Sequence, residues 1–128
     1  MVDSSMKKIL LAEDDRNLSH SMDTWLTLEG FEVVTVYNGE EALKKLLKEQ
    51  YDLLITDIAM PRLNGINLIS EIRTVTARLP IMVISGKLNA ELMKQLREMN
   101  VKHMLPKPIK PMEFRKVMDN LFPDYMMA

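Results

Sequence analysis

Lys8-Ile9-Leu10-Leu11-Ala12-Glu13-Asp14-Asp15 is an apolar run without polar alternation that stops at three consecutive carboxylates. An unbroken run of this length predicts a strand covered on both faces, as in a parallel sheet. The same sign recurs at Leu53 to Thr56, closed by Asp57, and at Ile81 to Ile84, closed by Ser85-Gly86. Phe31 to Val36 and Val101 to Leu105 complete five such runs. Helical patterns lie between them. Leu18, Met22, Trp25 and Leu26 share one stripe, with Gly30 as a stop signal. Asn38 is placed to cap a helix beginning Gly39-Glu40-Glu41, whose acidic first turn suits the helix dipole and whose stripe is Leu43, Leu46 and Leu47. Ile66, Ile69 and Ile72 mark a third helix, Leu92, Leu96 and Met99 a fourth, and Phe114, Met118 and Leu121 a fifth, opened by Pro111. Strict alternation of strand and crossover helix implies right-handed units around a parallel sheet.

The 128 residues close on this plan, because five strands of about 5 residues and five helices of about 12 leave short connections. A hydrophobic fraction of 47% and a charged fraction of 27% are those of one globular domain. Seventeen basic against eighteen acidic residues provide no global field for nucleic acid or an anionic membrane. The absence of cysteine excludes disulfides, thiolate nucleophiles and cysteine metal sites. No apolar run approaches the roughly 18 residues that span a bilayer, and the start lacks a signal-peptide core. A cytoplasmic protein is expected. Met6-Lys7-Lys8 reads as a natural start, so residues 1–5 are expected to be an extension and residues 123–128 a tail.

In a doubly wound sheet the site lies outside the carboxyl ends of the strands. Those ends bring together Glu13-Asp14-Asp15, Asp57, Ser85 and Lys107. Clustered carboxylates repel unless protons or a cation intervene. An all-oxygen donor set points to a hard divalent ion, Mg²⁺ above all. Beside such an ion Asp57 is a nucleophile for phosphoryl transfer through an aspartyl phosphate, Lys107 a point charge for the phosphoryl oxygens and Ser85 a hydrogen-bond donor. Taken singly, each has an ordinary reading: Asp15 as a helix-terminal acid, Asp57 as a turn cap, Ser85 as a loop hydroxyl.

The motifs Lys8 to Asp15, Asp57-Ile58-Ala59-Met60-Pro61 with Gly65, Pro80 to Gly86, and Lys107-Pro108 resemble those of receiver domains of two-component response regulators, similar to the single-domain chemotaxis type. The resemblance covers residues 6–122. It implies an α/β, flavodoxin-like, doubly wound sheet of five parallel strands in the order 2-1-3-4-5, with five helices. It also implies Asp57 as phosphoacceptor, Glu13 and Asp14 with Asp57 and the backbone carbonyl of Ala59 as Mg²⁺ ligands, Ser85 as switch hydroxyl, Lys107 as phosphate-contacting lysine, and a cis bond at Lys107-Pro108. The implied partners are a sensor histidine kinase or phosphotransfer protein, and a downstream protein met through the fourth helix, fifth strand and fifth helix. Neither nucleic acid nor a membrane is expected as partner, and the chain is expected to be a monomer or weak dimer. It would be no enzyme beyond its own phosphorylation and dephosphorylation. Two positions depart from the pattern. Met104 stands where the family usually carries the aromatic whose ring turns inward in the phosphorylated state, and a flexible thioether can repack into that gap. Pro106 precedes Lys107 and holds Leu105 extended.

Two other functions fit less well. A small Mg²⁺-dependent phosphatase acting on soluble phosphomonoesters would need a carboxylate two residues after Asp57, where Ala59 stands. A flavin-type cofactor binder would need a Gly-rich or hydroxyl-rich phosphate loop after the first strand, which here is acidic. His20 and His103 are too far apart in the plan to pair on a metal, and Trp25 reads as core or half-buried. Lys94, Arg97, Lys102, Lys110 and Lys116 fall on the face expected to meet the downstream protein.

Overall fold

A computed structural model describes residues 6–123. The expected extension 1–5, and all but the first residue of the expected tail, lie outside them. Ten elements alternate: β1 (Lys8–Ala12), α1 (Arg16–Leu28), β2 (Glu32–Val36), α2 (Gly39–Lys48), β3 (Leu53–Asp57), α3 (Gly65–Arg73), β4 (Ile81–Ser85), α4 (Ala90–Glu98), β5 (His103–Pro106) and α5 (Pro111–Leu121). All strand pairings are parallel, in the order β2-β1-β3-β4-β5. The runs read as covered on both faces are so: β3 and β4 are buried throughout and β1 in its last four residues, while the edge strand β2 is partly open. Pleating sends Leu10, Leu54 and Val83 to a core shared with α2, α3 and α4. Ile9, Leu11, Ile55 and Ile84 go to a second core closed by α1 and α5. Trp25, half-buried on α1, packs against Phe114 of α5 with ring centroids 5.2 Å apart.

The caps follow side-chain chemistry. Asn38, Asn64 and Asn89 each accept the N–H three residues on, and Asp15 accepts from Asn17 and Leu18. Asp15 therefore serves its ordinary role at a helix start. Pro111 opens α5 without a side-chain cap.

Two apolar runs extend one or two residues ahead of their strands. Phe31 and Val101 precede their strands because each finishes the turn that ends the helix before it. The Phe31 N–H donates to Leu26 O and the Gly30 N–H to Thr27 O, at 3.1 and 3.0 Å. The Val101 N–H donates to Leu96 O and the Asn100 N–H to Arg97 O, at 3.0 and 2.9 Å. Both are Schellman turns with a left-handed residue, Gly30 at φ 99° and Asn100 at φ 60°, followed by a buried apolar one. Gly30 is legible as a stop; the equivalent signal at Asn100 is asparagine's weaker left-handed preference. Asn100→Val is expected to lower stability by about 2 kcal/mol, since a β-branched residue resists this conformation, while Asn100→Gly stays within about 1 kcal/mol. Urea midpoints at unchanged m-value measure both.

Candidate functional site

The carboxyl ends of β1, β3, β4 and β5 meet at one mouth. Glu13 continues β1, its N–H donating to Val36 O at 3.1 Å, and is fully buried. Asp57 ends β3 at 4% exposure, as does Ser85 at the end of β4. Asp14 is exposed, yet a carboxylate oxygen from each of Glu13, Asp14 and Asp57 lies within 4.8 Å of the others. Lys107 spans the mouth, with Nζ 2.6 Å from Asp57 Oδ2 and 2.8 Å from Glu13 Oε1. Asp57 Oδ1 accepts the N–H groups of Ile58 at 2.7 Å and Ala59 at 3.3 Å. It thus caps its own turn while Oδ2 faces Lys107. Ser85 Oγ accepts the Lys87 N–H at 3.1 Å, and Ser85 O accepts the Lys107 N–H at 2.9 Å, tying the β4 and β5 ends together. The Lys107–Pro108 bond is cis.

Two carboxylates against one ammonium leave this buried group short of positive charge. Burial pushes the Glu13 carboxyl above the ordinary glutamate value, against the lowering by Lys107 and by the Asp15 N–H on Oε2. Burial alone would lower the Lys107 ammonium, but its hydrogen bond to Asp57 and its close pairing with the Glu13 carboxylate outweigh that and hold it above the ordinary lysine value. Glu13 Oε1 is buried and accepts no aligned hydrogen bond despite the nearby ammonium. A lone pair left over beside two further carboxylates suits a hard cation, so the donor set fits Mg²⁺.

Two glycines let the backbone close around Asp57. A Cβ on Gly65, the first residue of α3, would lie 2.3 Å from Asp57 O and 2.9 Å from Ile58 Cα, and the Gly65 N–H donates to Ile58 O. A Cβ on Gly39 would lie 1.8 Å from Leu63 O. Arg62, left-handed at φ 71°, reaches Glu40 of α2 at 3.0 Å. The loop carrying Ala59 is thereby pressed between α2 and α3. The role of Gly39 was invisible in the sequence, where it reads only as a helix start; nothing local signals an approach from a loop 24 residues away.

The remaining sequence candidates fall outside the mouth. Met104 is half-buried on the α4 side of β5, opposite Val83 and two residues along the same face from Ser85. Pro106 pairs with Ser85 at the sheet edge, where a missing N–H is tolerated. His20 is exposed, and His103 is half-buried with its imidazole held below the ordinary value by burial and by Lys102. Lys94, Arg97, Lys102, Lys110 and Lys116 are exposed.

A profile of the response regulator receiver domain matches residues 9–119. The chain belongs to this family. Similar curated proteins include the CpxR homolog of Haemophilus influenzae, a transcriptional regulatory protein 41% identical over 109 residues, 84% of this chain and 47% of that protein. Another is the Regulator of RpoS of Escherichia coli, 39% identical over 105 residues, 81% and 31% of the two chains. This receiver domain spans less than half the length of these relatives. Among solved structures it is similar to the chemotaxis response regulator CheY4 of Vibrio cholerae, with TM-score 0.83, 25% identity and coverage of 91% and 99%. It is also similar to the response regulator TrrA of Thermotoga maritima in complex with Mg²⁺ and BeF, with TM-score 0.81, 31% identity and coverage of 91% and 100%. The receiver assignment and the flavodoxin-like strand order therefore hold. Receiver domains are signalling modules that bind Mg²⁺ through an acidic cluster, and they act with histidine kinases or phosphotransfer proteins. No helix among the described residues is long and apolar enough to cross a membrane.

Proposed function

We propose that residues 6–122 form a phosphorylation-controlled receiver that accepts a phosphoryl group on Asp57 and signals through protein contacts. The observation that carries this is a buried carboxylate at the tip of the central strand, paired with Lys107 at 2.6 Å and grouped with Glu13 and Asp14. An Asp57 oxygen attacks phosphorus as the bond to the donor, a histidine nitrogen of the kinase, breaks; the product is an acyl phosphate. Ionised carboxylate needs no general base, in keeping with a mouth that holds no histidine. Lys107 moves its charge toward the phosphoryl oxygens, and the Ser85 hydroxyl turns to donate to one of them. Glu13, Asp14, Asp57 and the Ala59 carbonyl would hold Mg²⁺, which would supply positive charge beside the transferring group.

Withdrawal of Ser85 toward the phosphoryl group opens space on the α4 side, which the neighbouring Met104 fills. The change then reaches the exposed face of α4, β5 and α5, proposed to meet the downstream protein of a monomer or weak dimer in the cytoplasm. Incubation with acetyl phosphate followed by intact-mass measurement tests the proposal. One base-labile phosphoryl adduct is expected with Mg²⁺ and almost none without it. Turnover of many phosphomonoester molecules per protein would instead make the chain a phosphatase.

A further inference from the structure

At the opposite end of the strands, beneath β4 and β5, lies a second cavity of about 300 Å³. Arg73, Arg78, Asn100, Lys102, His103 and Asn120 line it, and among the described residues no carboxylate does. Arg73 is the floor. Its Nε donates to Met99 O at 2.9 Å, its Nη1 to Leu79 O at 2.9 Å and Thr76 O at 3.4 Å, and its Nη2 to Asn100 O at 3.1 Å. These neutral carbonyls satisfy the guanidinium's hydrogen bonds but leave its charge uncompensated, and they are turned inward by doing so. Asn100 Nδ2 closes one more, Ala77 O, at 3.2 Å. Those backbone carbonyls are thus engaged by Arg73 and Asn100.

Among the described residues neither Arg73, Arg78 nor Lys102 has a carboxylate within 4.0 Å. The adjoining larger groove, about 530 Å³, also takes in Arg78 but carries Glu49 and Asp52 on its walls. Among the described residues the smaller cavity carries cations and no carboxylate on its wall. Like charges converging on a concave, partly desolvated wall raise a local positive potential that an anion relieves. Arg78 has a planar fork suited to paired oxygens, Lys102 adds a point charge, and the amides of Asn100 and Asn120 add neutral polar groups.

We propose that this cavity is a binding site for a compact phosphate-bearing anion carrying at least two negative charges. The volume is at the small end for ligand sites and cations dominate the wall, so phosphate groups themselves are what it holds. The site is separate from the Asp57 mouth, lying at the other end of the same strands.

Titration of the metal-free protein with inorganic pyrophosphate at constant ionic strength, followed by amide and side-chain NMR, tests this. Saturable shifts are expected at Asn100, Lys102, His103 and Asn120, and inorganic phosphate should bind more weakly. Arg78→Ala and Lys102→Ala, both at exposed positions, should each weaken pyrophosphate binding about tenfold. Shifts that stay linear to about 10 mM, that centre on Lys94 and Lys110 or on the Asp57 mouth, or that are unchanged in the two variants would overturn the proposal.

Discussion

Asp57→Asn is expected to take up no phosphoryl group from acetyl phosphate and, without metal, to melt higher than the parent protein, whereas Lys107→Ala should melt lower. The opposite signs come from one count of charge. In the parent, Glu13, Asp14 and Asp57 face a single ammonium. Neutralising Asp57 leaves Lys107 matched to the fully buried Glu13 and removes one repelling carboxylate, a gain on the order of 1 kcal/mol, or roughly 4 °C. Removing Lys107 instead strands two buried carboxylates without a partner. Breaking a buried pair from one side costs about 3 kcal/mol, limited here because burial already readies Glu13 to take up a proton. Mg²⁺ should then stabilise Lys107→Ala more than the parent, for which saturation near 100 times Kd adds about 2.7 kcal/mol. Calorimetry of the three proteins with and without Mg²⁺ reads every sign. A lower melting point for Asp57→Asn would mean that its pairing with Lys107 outweighs the repulsion.

Gly65→Ala is expected to cost about 3 kcal/mol and to slow phosphoryl uptake about a hundredfold, although the methyl group touches no reacting atom. Its Cβ would lie 2.3 Å from Asp57 O and 2.9 Å from Ile58 Cα, both backbone, so the end of β3 or the start of α3 must shift. Either shift moves the Asp57 carboxylate relative to Lys107. Gly86→Ala is the control: a Cβ there meets nothing within 4 Å, and stability should stay within about 0.5 kcal/mol. Urea midpoints and the rate of adduct formation measure the pair. A Gly65→Ala protein of parental stability that is phosphorylated at the parental rate would show that the α3 start gives way without disturbing β3.

What could be read from the sequence was governed by distance along the chain. The unalternating runs at Leu10, Leu54 and Val83 announce strands because burial on both faces is written into consecutive residues, and Asn38 and Pro111 announce helix starts within a turn. Grouping Glu13, Asp14 and Asp57 needed only the rule that strand ends converge. Arg73 was passed over because its four acceptors belong to backbone carbonyls at 76, 79, 99 and 100, and carbonyls carry no mark in a sequence. Phe31 and Val101 resemble strand residues in the sequence because a buried apolar residue looks the same whether it belongs to a ladder or seals a Schellman turn.

The strand order also sets the tempo of the molecule. Asp57 ends β3, which has β1 on one side and β4 on the other and is buried along its length, so its amides are expected to be among the slowest to exchange with deuterium. β5 has four residues, one neighbour and a proline at its end. It can open locally and far more often. On the proposed reading, a phosphoryl group on Asp57 would sit on the most enclosed strand while a protein meeting β5 would meet an edge that opens more often.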